Sequence, residues 1–171
     1  MQRKIELAAN VAILAFVAIV GTLYVRREYL SQPRLQSVKV GDRLPLLTNY
    51  AWNEHTKTLL LAIRDGCRFC EDSAPFYREL AKLESNGQLG AHVLLAFPDE
   101  EAVAQRVRRD ESLDLDYRSS VSFTSLKVYG TPTAILTDSQ GRVQRVWIGE
   151  LRAPDQDAVL QSLSSEQPQF R

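Results

Sequence analysis

The sequence lacks a net charge. Lys and Arg together number 21, Asp and Glu also number 21, and no basic block is interleaved with aromatic residues. A nucleic-acid-binding protein needs an excess of positive charge on one surface to neutralise phosphates. The composition therefore argues against nucleic acid as a partner. No internal repeat or low-complexity tract is present, and 171 residues favour one domain with a sizeable core.

Cysteine and histidine are scarce. The chain contains two cysteines, Cys67 and Cys70, and two histidines, His55 and His92. A zinc site built on one C-x-x-C pair normally has a second close pair of ligands, and neither histidine is near the cysteines in sequence. We therefore expect no metal site. His92, at the start of an apolar stretch, is expected to pack or to lie at a rim, and His55, in a polar turn, to be solvated.

The two cysteines lie between a predicted strand and a predicted helix. Cysteines three residues apart in the first turn of a helix are close enough to form a disulfide. A thiolate there faces unpaired backbone N–H groups and the positive end of the helix dipole, which stabilise it. A purely structural disulfide is less favoured, because so short a loop gains little entropy by closing. The motif predicts thiol–disulfide chemistry that needs no cofactor beyond the Cys67–Cys70 pair.

Hydrophobic periodicity and turn signals predict an α/β sandwich with a mixed sheet. Pro75 lies inside one predicted helix and should kink it, and Asp99 is placed to cap another. The expected elements are strand 59–63, helix 71–85, strand 91–97, a helix after Asp99, a short helix 125–129, a hairpin of strands 133–137 and 142–148, and helix 155–163.

An uncharged apolar segment near the N terminus predicts a membrane anchor. Residues 7–25 carry no charge, and only Asn10 and Thr22 interrupt them with polar side chains. As a helix this segment can cross about 30 Å of hydrocarbon, and a core helix would be shorter and have a polar face. No A-x-A-like site indicates cleavage. We predict a transmembrane anchor 1–25, a linker 26–39, a globular domain 40–165 and a tail 166–171.

The basic residues on the two sides of this segment give conflicting indications of which side of the membrane the main domain occupies. Arg3 and Lys4 precede it, whereas four basic residues follow it closely: Arg26, Arg27, Arg34 and Lys39. Counting them favours a cytoplasmic main domain, but a very short basic tail is typical of a signal anchor, which favours the opposite side. The residues alone leave the orientation open.

Three features together resemble the thioredoxin fold: Cys67-Arg68-Phe69-Cys70, Pro75 five positions after the second cysteine, and Thr131-Pro132 before the hairpin. Three others resemble the membrane-tethered TlpA/ResA-type redoxins: the N-terminal anchor, Gly41-Asp42-Arg43-Leu44-Pro45 and Gly130-Thr131-Pro132-Thr133. The resemblance covers roughly residues 38–165.

The resemblance implies a mixed central sheet flanked by helices and a role for each motif. Cys67 would be the attacking thiolate and Cys70 the resolving one. Thr131-Pro132 would carry a cis peptide beside the cysteines, with the Thr131 backbone pairing with an extended substrate. The implied partners are protein disulfide or dithiol substrates and a redox partner protein. The implied location is the bacterial inner membrane, single-pass, with the main domain in the periplasm.

The active-site sequence departs from the family in two respects. Gly66 stands where the family usually has tryptophan, which leaves the pair less shielded and widens what can dock. The acid that assists proton transfer has no motif, and Asp65 and Glu54 are only candidates. Arg68 can favour the thiolate or be a solvated charge, and Phe69 is either a docking contact or a core residue. We take Gly66, Phe69, Thr131 and Pro132 as substrate-binding and Arg68 as tuning the redox pair.

Two other functions compete with the main prediction. A thioredoxin-like domain can act as a binding or scaffold module at the membrane, in which turnover is incidental. A thiol peroxidase usually has a P-x-x-x-T-x-x-C motif. Relative to Cys67, this chain has Leu60 in place of the proline and Arg64 in place of the threonine, which argues against a peroxidase. We predict a membrane-anchored thiol–disulfide oxidoreductase. The residues leave open whether it reduces or oxidises its substrates, and the resemblance implies that it reduces disulfides of extracytoplasmic proteins.

Overall fold

The chain divides into two compact units, Met1–Leu35 and Gln36–Arg171. The computed structural model describes residues 13–22, 37–47 and 50–164. In the first unit, residues 13–22 are helical and their side chains are exposed.

Most of the predicted membrane anchor and linker, and all of the predicted tail, lie outside the described residues. In the part of the chain that the structure describes, no helix is both long enough and apolar enough to cross a bilayer.

The second unit contains five strands and four helices in the described residues. After a short 3₁₀ turn at Trp52–Glu54, they are β1 (Lys57–Ala62), α1 (Arg68–Asp72), α2 (Ala74–Ser85), β2 (His92–Ala96), α3 (Glu101–Asp110), β3 (Asp116–Arg118), β4 (Thr133–Asp138), β5 (Val143–Ile148) and α4 (Ala153–Leu163).

The five strands form one mixed sheet with β1 at its centre. The strand order is β3-β2-β1-β4-β5. β1 and β3 run parallel to β2, whereas β4 is antiparallel to both β1 and β5. The mixed α/β architecture predicted from the sequence is confirmed.

The apolar run in β1 is continuous because both faces of the sheet are covered. Leu59 and Leu61 belong to one hydrophobic cluster, which also contains the buried side chains of the helices. Leu60 and Ala62 point to the opposite face and belong to a second cluster. That second cluster is completed by buried residues of the segments before β1 and before β4: Val38, Leu44, Leu47, Tyr50, Trp52, Val121, Leu126 and Val128.

Replacing Leu60 by alanine should destabilise the domain strongly. Leu60 is fully buried at the centre of the sheet, so the change leaves a cavity, and we expect a loss of about 2–5 kcal/mol in the free energy of unfolding, measured by urea titration. Leu46→Ala is the matched control, because Leu46 is 83% exposed and should change stability little. Equal losses for the two variants would contradict this packing.

The helix predicted over residues 71–85 is two helices. α1 and α2 meet at Ser73, and Pro75 lies in the first turn of α2 instead of kinking one long helix. Proline suits that position because the N–H groups of a first turn have no intrahelical partner. The predicted end of the helix at Asn86 and Gly87 is confirmed.

Two further local predictions are wrong. Residues 123–127 form hydrogen-bonded turns where a short helix was predicted, and Lys127 there has a positive φ of 56°, which a helix cannot continue through. Asp99 does not cap α3; its carboxylate accepts a hydrogen bond from the backbone N–H of Asp65 at 3.2 Å, and Glu100 holds the cap position without a side-chain bond.

Candidate active site

The turn after β1 places the first cysteine at the start of a helix. Gly66 has a φ of +63°, a left-handed conformation that glycine adopts without the strain a side chain would bring. Cys67 is then the N-cap residue of α1, and the backbone N–H of Cys70 donates to its sulfur at 3.3 Å. The turn at Gly66 therefore leads directly into α1, and the sulfur of Cys67 occupies the position of an N-cap acceptor.

Cys67 and Cys70 form a disulfide. Their Cα atoms are 5.2 Å apart, and the two residues are 7% and 6% exposed. Cys67 Sγ also accepts a hydrogen bond from Thr131 Oγ1 at 3.3 Å. Within the described residues, hydrogen bonds reach the sulfur of Cys67 but not that of Cys70. Hydrogen-bond donors favour a thiolate over a thiol, so the two sulfurs of the pair have chemically different surroundings.

The loop before β4 lies against the cysteine pair. The Thr131-Pro132 peptide is cis, as the resemblance implied. The Pro132 carbonyl accepts from Gly149 N–H at 2.8 Å, and Thr133 Oγ1 donates to the Gly130 carbonyl at 2.7 Å, which holds the loop in place. The Thr131 backbone has no hydrogen-bond partner among the described residues. The hydroxyl of Thr131 was missed from the sequence, where only its backbone was assigned a role.

A groove of about 550 Å³ opens beside Cys67. It brings together five of the predicted site residues, whereas Pro132 is buried and does not line it. Its lining residues are Arg64, Gly66, Cys67, Arg68, Phe69, Pro98, Phe123, Val128, Tyr129, Gly130 and Thr131.

Phe69 and Arg68 both project from α1 into solvent. Phe69 is 55% exposed, which decides between the two sequence interpretations: it is a surface residue of the groove and not part of the core. Arg68 is largely exposed, and its Nε lies 3.8 Å from a carboxylate oxygen of Asp72. Such an exposed pair holds its partners weakly. The tuning role assigned to Arg68 stays a prediction.

A separate, smaller cavity of about 100 Å³ lies on the side of Cys70. Its lining includes Cys70, Asp65 and Glu111, the last of which is partly buried and 3.8 Å from Arg78. A cavity of this size is large enough to hold water beside the buried Cys70. Asp65 is in an ion pair with Arg106, and Glu54 precedes β1 and so lies at the opposite end of that strand from the cysteines. Glu111 belongs to no sequence motif, and it lines the cavity because it follows the last residue of α3, which packs there.

The buried hydroxyls near α2 do not supply a base. Ser73 Oγ donates to the Phe69 carbonyl at 2.8 Å and accepts from Leu151 N–H at 3.4 Å. Burial raises the pKa of Tyr77 to about 12. Tyr77 therefore stays protonated at neutral pH, and its side chain packs in the hydrophobic core.

The two histidines lie at the far end of the sheet from the cysteines. Their rings stack with centroids 4.1 Å apart, and His92 Nδ1 is 2.7 Å from Glu84 Oε1. His92 pairs with Thr58 at the start of the parallel strands, whereas Cys67 follows the other end of β1. His92 is packed as predicted, but His55 is partly buried and not simply solvated. Over the described ranges, no cluster of three or more His, Cys, Asp or Glu residues could hold a metal ion.

His55 should make the stability of the domain depend on pH. Partial burial, followed by the charge of His92, lowers the pKa of His55 from 6.5. As pH falls below about 6.5, the unfolded chain takes up a proton that folded His55 resists, so the free energy of unfolding decreases. We expect His55→Gln to lose less stability than the unchanged protein between pH 7 and 5 in urea titrations. Asn53→Gln, an exposed neighbour, should keep the original slope, and an unchanged slope for His55→Gln would contradict the assignment.

Solved structures share this architecture. The thioredoxin domain of a thiol-disulfide oxidoreductase from Bacteroides vulgatus aligns with a TM-score of 0.57 and 17% identity, over 74% of this chain and 98% of that one. A thiol:disulfide interchange protein from Bacteroides sp. aligns with a TM-score of 0.59 and 16% identity, over 78% and 95% of the two chains. The domain has the thioredoxin fold.

A third structure, a thiol-disulfide isomerase from Corynebacterium glutamicum, aligns with a TM-score of 0.54 and 15% identity, over 78% of this chain and 99% of that one. No protein-family model matches the chain, and no curated protein matches its sequence. At sequence identities of 15–17%, the similarity establishes a shared fold and not a shared activity. The chemistry therefore has to be inferred from the residues of the site.

Proposed function

We propose that the chain is a thiol–disulfide oxidoreductase that uses Cys67 as nucleophile and Cys70 as resolving thiol. The observation that carries this proposal is the asymmetry of the pair. Two hydrogen-bond donors point at the sulfur of Cys67, which lines an open groove, whereas Cys70 faces a small cavity. A purely structural disulfide has no need of donors on one sulfur or of a groove beside it.

In the reducing direction, the Cys67 thiolate attacks one sulfur of a substrate disulfide. The Cys67–substrate bond forms as the substrate S–S bond breaks, and the departing thiolate takes a proton. Cys70 then loses its proton and attacks Cys67 Sγ, which closes the Cys67–Cys70 disulfide and releases the substrate as a dithiol. Two electrons pass from the protein to the substrate, and a redox partner dithiol returns them by the reverse steps.

The direction of electron flow can be tested by equilibrating the purified full chain with glutathione redox buffers. We propose that it acts as a reductant, which the resemblance to tethered redoxins supports. A potential near or below that of thioredoxin, about −270 mV, is expected for a reductant, whereas about −120 mV is typical of a strong oxidant. A value near −120 mV would reverse the proposed direction.

Catalysis itself is tested by the reduction of insulin disulfides with a small dithiol as electron source. The full chain should accelerate the reaction, and Cys67→Ser should abolish the acceleration. If the domain is a binding or scaffold module at the membrane, no acceleration should occur, and Cys67→Ser should keep the protein's function in cells.

We further propose that the protein is anchored in the bacterial inner membrane by residues 7–25, with the redox domain in the periplasm. The uncharged apolar segment and its short basic tail support this arrangement. A phosphatase fused to the C terminus, of a type active only outside the cytoplasm, should be active in intact cells. Activity confined to a cytoplasm-dependent reporter would place the domain on the cytosolic side.

A further inference from the structure

The groove beside Cys67 carries an excess of positive charge although the protein as a whole is neutral. Arg64 and Arg68 both line it, and its lining contains no carboxylate. The Arg64 side chain is exposed and makes no ion pair or hydrogen bond within the described residues. Arg68 has only the weak, exposed pair with Asp72. Arg64 can therefore meet negative charge from a partner directly, and Arg68 can do so by giving up its weak pair with Asp72.

The same groove contains two exposed aromatic side chains. Phe69 is 55% exposed and Tyr129 is 43% exposed, and they come from α1 and from the loop before β4. Partly buried Phe123 and buried Val128 also line it. Exposed aromatic groups beside cations are typical of a surface that binds an apolar side chain flanked by acidic ones.

The groove also has a backbone edge for an extended chain. The Thr131 backbone N–H and C=O have no partner among the described residues, and Thr131 lies at the sulfur of Cys67. A substrate that pairs with this edge would be extended, so its successive side chains would point alternately to either side. The residues next to the reacting cysteine would then reach the arginines and the aromatic rings.

We propose that the groove selects extended protein segments in which the disulfide-bonded cysteine has an acidic and an aromatic neighbour. The acidic side chain meets Arg64 and Arg68, and the aromatic one packs on Phe69 and Tyr129. This inference rests on the proposed function and specifies its substrate class. The charge contacts act on the encounter and docking of the substrate, so they change the preference among substrates.

The test compares short peptides joined by a disulfide and differing at one position beside the cysteine. The peptides carry Glu, Gln or Lys there, and the reduced full chain is mixed with each in 20 mM and 500 mM salt while the rate constant of peptide reduction is measured. We expect the Glu peptide to react about tenfold faster than the Lys peptide at low salt, and the difference to shrink at high salt.

The variant that removes the positive charge is Arg64→Gln combined with Arg68→Gln. It should lose the preference for Glu over Lys. The matched control is Arg109→Gln combined with Arg145→Gln, which removes the same charge from exposed positions on α3 and β5 outside the groove lining and should keep the preference. Equal rates for all peptides, or equal loss of preference in both double variants, would overturn the charge assignment.

The aromatic contacts are tested with peptides that carry Phe or Ala on the other side of the cysteine. We expect the Phe peptide to react about fivefold faster, and Phe69→Ala to remove that advantage. Ile148→Ala is the control, since Ile148 is comparably exposed but lies on β5, outside the groove lining. An undiminished advantage in Phe69→Ala would overturn this contact.

An uncharged small disulfide, hydroxyethyl disulfide, separates this inference from the function on which it rests. If the protein reduces it but does not discriminate among peptides, the selectivity is wrong and the activity stands. If it reduces neither the small disulfide nor any peptide, the proposed function fails and the inference falls with it.

Discussion

The Cys70→Ser variant should accumulate mixed disulfides with its substrates, whereas Cys67→Ser should accumulate none. Without Cys70, the intermediate formed at Cys67 cannot be resolved from within the protein, so each molecule stops after one encounter. Multiple turnover should be lost in both variants. The adducts are measured on non-reducing gels after acid quenching and alkylation, and mass spectrometry identifies the linked residue.

This assignment depends on the surroundings of the two sulfurs and not on their exposure, which is nearly equal at 7% and 6%. Cys67 lines the groove and accepts hydrogen bonds from Thr131 and from the backbone of Cys70. In the reduced protein, limiting iodoacetamide at neutral pH should therefore label Cys67 first. Adducts that form through Cys70 in the Cys67→Ser variant, together with first labelling of Cys70, would reverse the two roles.

Thr131→Val should slow the reaction of Cys67 with small alkylating reagents about tenfold at pH 7. Valine keeps the shape of threonine but removes the hydroxyl that donates to Cys67 Sγ at 3.3 Å. A hydrogen bond to a charged group contributes about 1.5–3 kcal/mol, and the thiolate is the only form that reacts appreciably, so a tenfold loss corresponds to the lower end of that range. The lower end applies because Thr131 is partly exposed.

The measurement is the alkylation rate as a function of pH in the fully reduced protein. The difference between Thr131→Val and the unchanged protein should vanish at high pH, where both have the thiolate. Thr131→Ser keeps a hydroxyl and should retain most of the rate, and Thr124→Val, an exposed threonine of the preceding turn, should have no effect. A Thr131→Val rate that matches the original at every pH would show that the hydroxyl does not stabilise the thiolate.

The strands that have strong local patterns were predictable from the sequence. β1 and β2 each contain an uninterrupted apolar run, and the β4–β5 hairpin is marked by its turn at residues 138–141. In each case the pattern arises within a few residues, so it does not depend on the rest of the chain. β3 was not predicted, because its three residues have no apolar alternation and form a strand only by pairing with β2.

The residues around the cysteines were predictable to a lesser extent. A C-x-x-C pair after an apolar run is a local signal, and it correctly placed Cys67 at the helix start. The sequence left open whether Phe69 is buried, because it predicted one continuous helix over residues 71–85. The break at Ser73 rotates Phe69 away from the core face of α2, and no sequence period reports such a break.

The sequence by itself determined the redox pair, the α/β class and the loop that carries Thr131-Pro132, since each depends on neighbouring residues whose conformations are locally restricted. Only the tertiary structure decided which groups surround the sulfurs. Thr131 is 64 residues from Cys67 along the chain, and Glu111 lines the cavity of Cys70 from the position after the last residue of α3. Contacts over such separations form because the sheet buries its apolar faces and brings those segments together, and that burial is a property of the whole fold.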